Sequence, residues 1–327
     1  VWAEALVGAL NQSVAVSEMS PTGTPVETQV VRWMADLAGF GPRAGGTFTS
    51  GGTEATFAAL LAARSRAVPD VWTNGLGADP PVVVCGEHAH YAVSRAAGEM
   101  GLGQRNVVTV PSRAPHAGDY AMNPAALGRT LAELDASGRR VMAVVATAGS
   151  TATGSFDDLA AVADRCAERD AWLHVDGAHG ASALLSARHR HRVRGVERAH
   201  SLAWDPHKMM LVPLSAGVVL VREERWLEGA FAQHAPYLFQ PGGADAERVI
   251  DQGVRSFQCS RRADALKLWV AFQRYGADGL GALYAHLCDG AARLHALLEA
   301  HPRFAPLHAP ASNILCFRWT GADADGD

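Results

Sequence analysis

The pattern that most constrains this chain is a regular exchange of short apolar runs with longer Ala- and Leu-rich ones. Strand-like stretches stand at 81–85, 107–110, 141–146, 172–175, 201–204 and 216–222. Stretches with helical composition and spacing stand at 28–37, 53–66, 94–101, 124–136 and 159–169. Short apolar runs bounded by turn residues read as buried strands, and their alternation with helices predicts an α/β domain with a largely parallel sheet. Farther on, 261–275 reads as a long amphipathic helix leading toward a second domain, 280–300 as another helix, and 313–319 as strand-like. No internal repeat interrupts this order.

Two residues give the alternation a chemical direction. Asp176 follows the apolar stretch Trp172-Leu-His-Val, and Lys208 follows the next one in Asp205-Pro-His-Lys208. The X-Pro step holds the backbone before Lys208 extended or turned. An acid at the end of one strand and a lysine just beyond the next is what pyridoxal phosphate needs. A carboxylate keeps the pyridine nitrogen protonated, and an amine forms the Schiff base. Ser50-Gly51-Gly52-Thr53 precedes a helix, and bare N–H groups there, with glycines allowing close approach, make an anion site for a phosphate. Glu54 in the first turn suits the helix dipole. Taken singly, each feature has a plainer reading: a solvated lysine, a capping aspartate, an ordinary strand–helix turn. Their joint arrival favours the cofactor.

The segments carrying these residues are Phe48-Thr-Ser-Gly-Gly-Thr-Glu-Ala-Thr56, Glu87-His-Ala-His-Tyr91, Ala146-Thr-Ala-Gly-Ser-Thr151, His174-Val-Asp-Gly-Ala178 and Asp205-Pro-His-Lys208. In this order and over nearly the whole chain, they resemble the group II pyridoxal-phosphate-dependent amino-acid decarboxylases, which include the glutamate, cysteine-sulfinate and aromatic enzymes. The resemblance implies fold type I: a large domain with a mostly parallel sheet, then the start of a small C-terminal α/β domain. It divides the chain into an N-terminal segment over 1–20, a cofactor-binding domain over 21–260, and a connecting helix with the beginning of the small domain over 261–327. It also implies that both ends of the chain are cut relative to the family.

Residue by residue, the resemblance makes Lys208 the Schiff-base lysine and Asp176 the partner of the ring nitrogen. His90 and Ala178 take the two faces of the ring. Gly51, Gly52 and Thr53 serve the phosphate, Thr147 lies near the ring substituents, and His207 stands beside the lysine. Asp205 falls where many relatives have Asn. A carboxylate near a phosphate repels it, so Asp205 as a phosphate contact requires that a neighbour neutralise it or that it turn away. Tyr237, in Ala235-Pro-Tyr-Leu-Phe-Gln240, matches the loop tyrosine that returns a proton after CO2 leaves, and the Pro241-Gly-Gly run after it suits a lid. Ser13 and Ala15 match a region lining the substrate pocket. The implied reaction is decarboxylation of an L-amino acid, acidic or short and polar: glutamate, aspartate, cysteine sulfinate or 2,4-diaminobutyrate, with an aromatic substrate as the alternative. A homodimer with sites at its interface is implied as well.

Bulk properties remove several other classes. Hydrophobic residues make up 48% and charged residues 19%, which excludes a disordered chain. A net charge of −4 leaves no electrostatic footprint for nucleic acid. No apolar run has the length of a membrane span. The five cysteines are scattered without a CxxC pair, which argues against a disulfide framework or structural zinc and fits a reducing, cytoplasmic setting. Three rivals remain. One is a non-catalytic relative or inert fragment, and a second is another lyase, a transaminase or an aldehyde synthase of the same fold. In the third, His88, His90, His174, Asp176 and His179 cluster round zinc in a hydrolase. That reading leaves Lys208 and the Ser50–Thr53 turn without work.

Overall fold

The computed structural model describes residues 1–231 and 251–321. Its centre is a seven-stranded sheet of β1 (Gly45–Thr49), β2 (Val82–Gly86), β3 (Val107–Val110), β4 (Val141–Thr147), β5 (Trp172–Asp176), β6 (Ser201–Trp204) and β7 (Gly217–Val221). The spatial order is β1-β7-β6-β5-β4-β2-β3. Every neighbouring pair from β6 to β3 is parallel, and β7 runs antiparallel to both β6 and β1. The expected α/β architecture with a mostly parallel sheet is therefore present.

Both faces of the sheet are buried, as parallel strands require. Alternate residues of one strand serve two separate cores: Val82 and Val84 of β2 join one, Val83 and Cys85 the other. The same split divides Val144 and Ala146 of β4 from Ala143 and Val145. Helix α1 (Trp2–Leu10) opens the chain and α2 (Gly23–Leu37) follows. Then come α3 (Gly52–Ala67), α4 (Ala92–Glu99), α5 (Pro124–Ala136) and α6 (Leu159–Ala167). Asn123 caps α5 by accepting from Ala125 and Ala126 N–H, and Pro124 opens the helix, a combination that fixes this start in the sequence.

Helix α2 buries Glu27, Val30, Val31, Met34 and Ala35, a stripe at i, i+3, i+4, i+7 and i+8. Glu27 is thus an acid on a core-facing stripe, and it is matched. Arg261 donates to it twice, at 2.9 and 2.6 Å, and to Thr47 Oγ1 at 3.1 Å, while Glu27 Oε1 accepts Phe48 N–H at 3.1 Å. This pair ties α2 and β1 to the segment entering the last helix.

That last helix, α7 (Ala265–Glu299), is broken at Gly276, whose φ of 65° is not helical. Two helices were expected here, over 261–275 and 280–300, and the break falls between them. The start differs: 261–264 is not helical, because Arg262 forms a β-bridge with Ser13 and Arg261 is engaged by Glu27. The strand expected over 313–319 is confined to Phe317–Trp319, paired with Phe304–Pro306. Among the described residues no helix is long and apolar enough to cross a membrane, and all five cysteines are free.

Candidate active site

The parallel strands all deliver their C-terminal ends to one edge of the sheet, where ligands of open α/β sheets bind. Register aligns Thr147 of β4 with Asp176 of β5, and Asp176 with Ala203 of β6. Two residues past Ala203 the chain reaches Asp205. Its N–H bonds Ala178 O at 3.1 Å, and its carbonyl accepts Lys208 N–H at 3.0 Å, a tight turn that presents the lysine. From the far side of the sheet the β1–α3 turn brings Ser50, Gly51, Gly52 and Thr53. These elements enclose a cavity of about 350 Å³.

All ten residues expected at the cofactor line this cavity: Gly51, Gly52, Thr53, His90 and Thr147, with Asp176, Ala178, Asp205, His207 and Lys208. Ser13 and Ala15 do not: Ser13 bridges to Arg262 and Ala15 is buried, its carbonyl accepting Gly253 N–H. Tyr237 and the Pro241-Gly-Gly run lie outside the described residues.

Electrostatics distinguish the groups. Burial raises the Asp176 carboxyl above its ordinary range, against the pull of Ala178 N–H, 3.2 Å from Oδ1, and of the Lys208 ammonium. Such an acid is poised to share a proton with a basic ring nitrogen. His90 is held below the ordinary imidazole value, first by burial, then by the Lys208 and Arg95 cations, against Asp176 and Asp205. Its Nδ1 accepts Ala92 N–H at 3.2 Å. His207 Nδ1 accepts Ala216 N–H at 3.0 Å, which leaves the ring proton on Nε2. That nitrogen is 3.4 Å from Asp205 Oδ2. The same oxygen is 3.1 Å from Lys208 Nζ and accepts Gly52 N–H at 2.9 Å. One Asp205 oxygen is therefore shared by the Lys208 amine, the His207 ring and the Gly52 N–H.

The residues present fit pyridoxal phosphate. Thr147 Oγ1 is buried in the lining with no hydrogen-bond partner, a hydroxyl left for a ligand. Gly52 has no room for a side chain: a Cβ there would stand 2.7 Å from Ala178 Cβ. The backbone at the start of α3 thus comes up to the cavity wall, where the Gly52 N–H is held by Asp205 Oδ2. Glu54 Oε2 turns back to accept Ser50 N–H, Ser50 Oγ and Gln258 Nε2 at 2.8, 2.7 and 3.0 Å, so its charge is spent on the turn.

The zinc arrangement does not form. His174 is fully buried in the core, its Nδ1 2.9 Å from Ser201 Oγ and its Nε2 3.4 Å from Thr56 Oγ1. Burial pushes it down to about 3, so it stays neutral. Among the described residues no three His, Cys, Asp or Glu converge to hold a metal.

Sequence reasoning missed several participants. Tyr91, Thr151, His179 and Leu214 line the cavity, and His179 Nε2 is 2.7 Å from Asn313 Oδ1. Buried Asp157 fixes Thr147 by accepting its N–H at 2.7 Å, and accepts Met122 N–H at 2.7 Å through its other oxygen. Lys267 anchors the segment after Lys208 by donating to the carbonyls of Pro213 and Ser215 at 3.2 and 2.7 Å, with Glu4 and Asp264 neutralising it. An isolated lysine in an apolar helical run (Ala265-Leu-Lys-Leu-Trp) was the available signal for the last of these.

Comparison with known proteins agrees with this geometry. The model of the pyridoxal-dependent decarboxylase conserved domain matches residues 1–320. The chain belongs to this decarboxylase family. An L-2,4-diaminobutyrate decarboxylase of Rhizobium meliloti (strain 1021) is 37% identical over 325 residues, covering 98% of this chain and 62% of that protein. Among solved structures, the glutamate decarboxylase domain of diaminobutyrate-pyruvate transaminase and L-2,4-diaminobutyrate decarboxylase from Vibrio parahaemolyticus aligns with a TM-score of 0.85 at 32% identity, over 99% of this chain and 64% of that one. Mouse CSAD aligns at 0.91 and 30%, over 99% and 67%. Oryza sativa TDC, solved with PLP and tryptamine, aligns at 0.90 and 27%, over 98% and 67%. The chain thus spans about three-fifths of the length of the decarboxylase from Rhizobium meliloti. Family membership makes pyridoxal phosphate the cofactor, and the residues lining the cavity fit it.

Proposed function

We propose that this chain carries the cofactor site of an amino-acid decarboxylase that converts an L-amino acid to its amine and CO2. The observation carrying the proposal is the convergence of Lys208, Asp176, Thr147 and the N-terminus of α3 on one cavity. Pyridoxal phosphate, when bound, supplies the sink for the electron pair left on the α-carbon as CO2 departs. Lys208 Nζ is assigned as the amine that anchors the cofactor and afterwards moves protons. Asp176 is assigned as the partner of the ring nitrogen, and its place at the end of β5 in the cavity lining supports the assignment. His90 and Ala178 take the ring faces. Gly51, Gly52 and Thr53 receive the phosphate through backbone N–H groups, with His207 beside Lys208. Tyr237 is assigned to return the proton to the product carbon.

The substrate class is an acidic or short polar amino acid, and 2,4-diaminobutyrate is favoured among these by the named relatives from Rhizobium meliloti and Vibrio parahaemolyticus. A homodimer with interface sites is part of the proposal. A second, largely apolar cavity of about 630 Å³ lies between α1, the segment after Lys208 and α7. Around it Trp2, Leu211 and Tyr275 are exposed, and Leu214, which borders the active cavity, is 71% exposed. An apolar surface of this kind supports burial against a second copy. The test is CO2 release from a panel of L-amino acids by cofactor-loaded protein. Release from 2,4-diaminobutyrate or an acidic amino acid is expected; release from aromatic amino acids alone would overturn the substrate assignment.

A further inference from the structure

The α3 N-terminus already has an anionic neighbour. Asp205 is 1% exposed, and its Oδ2 accepts the N–H of Gly52, the first residue of α3, at 2.9 Å. Lys208 Nζ and His207 Nε2 face the same oxygen at 3.1 and 3.4 Å. The other oxygen, Oδ1, is buried without a hydrogen-bond partner. Gly52 is shaped round this carboxylate, since a Cβ there would stand 3.0 Å from Oδ2.

A free helix N–H is what a phosphate oxygen takes at such a terminus. A carboxylate bonded to that N–H withdraws one donor and adds a like charge beside a dianion, in a setting where charges a few ångströms apart interact strongly. It also pairs with the amine on which the proposed chemistry depends. We propose that Asp205 competes with the cofactor phosphate for the Gly52 N–H and retains Lys208 by an ion pair, so that this carboxylate sets cofactor affinity. The proposal rests on the reading that the cavity takes pyridoxal phosphate. In it Asp205 is a positioning residue: seating the phosphate turns its carboxylate away from Gly52 and releases the Lys208 amine.

The test measures equilibrium binding to cofactor-free protein, not turnover. Three probes separate the terms: pyridoxal phosphate, pyridoxal without its phosphate, and inorganic phosphate. In Asp205→Asn the amide oxygen still accepts the Gly52 N–H, but the charge is gone. Inorganic phosphate and pyridoxal phosphate are expected to bind about tenfold tighter or more, and pyridoxal, which gains only the released Lys208 amine, by a smaller factor. Equal or weaker binding of inorganic phosphate by Asp205→Asn would show that the Asp205 charge does not oppose the phosphate, and the proposal would fall. Asp205→Ser carries the same expectation should the Asn variant not fold. Should neither fold, a spectrum of unmodified protein labelled with ¹⁵N-glycine decides. Inorganic phosphate should shift the Gly52 amide signal, and an unmoved signal rejects the competition. Failure of the underlying reading looks different: the unmodified chain would then show no cofactor absorbance that depends on Lys208.

Discussion

Replacing Arg261 by Met removes one half of a buried ion pair and leaves the other in place. Glu27 and Arg261 are 0% and 6% exposed, and the guanidinium supplies two of the bonds to the Glu27 carboxylate. Without it the carboxylate keeps only Phe48 N–H, at 3.1 Å, and a long contact to Thr47 Oγ1 at 3.4 Å. Neither brings a compensating charge. Breaking a buried pair from one side costs about 3–5 kcal/mol, because the survivor stays desolvated and uncompensated. For a chain of this size that lowers the melting temperature by on the order of 10 °C. The double change Glu27→Gln with Arg261→Met removes the stranded charge while the Gln oxygen still accepts Phe48 N–H. Part of the loss should therefore return, giving a favourable coupling of about 1–3 kcal/mol. The assay is urea unfolding of Arg261→Met, Glu27→Gln and the double variant beside the unmodified chain. Because β1 leads from Phe48 directly into Ser50-Gly51-Gly52, cofactor affinity should weaken in parallel with stability. Strictly additive single changes, or a loss below about 1 kcal/mol for Arg261→Met, would show that the pair does not act as described.

Two further outcomes follow from the same geometry. Gly52→Ala places a Cβ 2.7 Å from Ala178 Cβ and 3.0 Å from Asp205 Oδ2; it should cost about 1–3 kcal/mol by overpacking and reduce pyridoxal phosphate affinity in a binding titration, whereas unchanged affinity would mean the α3 mouth is not the phosphate site. His174, held near 3 in the fold against an ordinary 6.5, binds a proton more readily when unfolded. Its contribution to stability is therefore complete above about 6.5 and is lost as pH falls toward 3. In His174→Gln, the fall of the urea midpoint between those limits should be shallower than in the unmodified chain, and an identical slope would refute the assignment.

Legibility in the sequence followed the range of the interactions involved. Strands at 107–110 and 201–204 and the helix at 124–136 have the bounds that local apolar pattern and capping predict, because these signals are contained within the element. β1 was not predicted as a strand. Its sequence Gly45-Gly-Thr-Phe-Thr49 shows little apolar alternation, it pairs on one side only, and the glycines serve close approach to Glu224 and the Val219 carbonyl. Of the residues lining the cavity, Asp176, Lys208 and Gly51–Thr53 were legible because strand ends and a helix start mark them, whereas His90, Thr147, Ala178 and His207 came from the family resemblance. The residues that hold them were not. Asp157, Lys267 and the Glu27–Arg261 pair act across distances in sequence that only the folded sheet brings together. Asp205 was legible as an anomaly, a carboxylate by a phosphate site, and its partners Gly52, His207 and Lys208 explain how the fold accommodates it.

The most direct test of the central claim is the attachment point of the cofactor. Protein loaded with pyridoxal phosphate would be reduced with borohydride, digested and mapped by mass spectrometry, with Lys208→Ala treated alongside. The label should reside on Lys208, with an absorbance band near the visible edge that the variant lacks. A label on another lysine, or an equal band in Lys208→Ala, would contradict it.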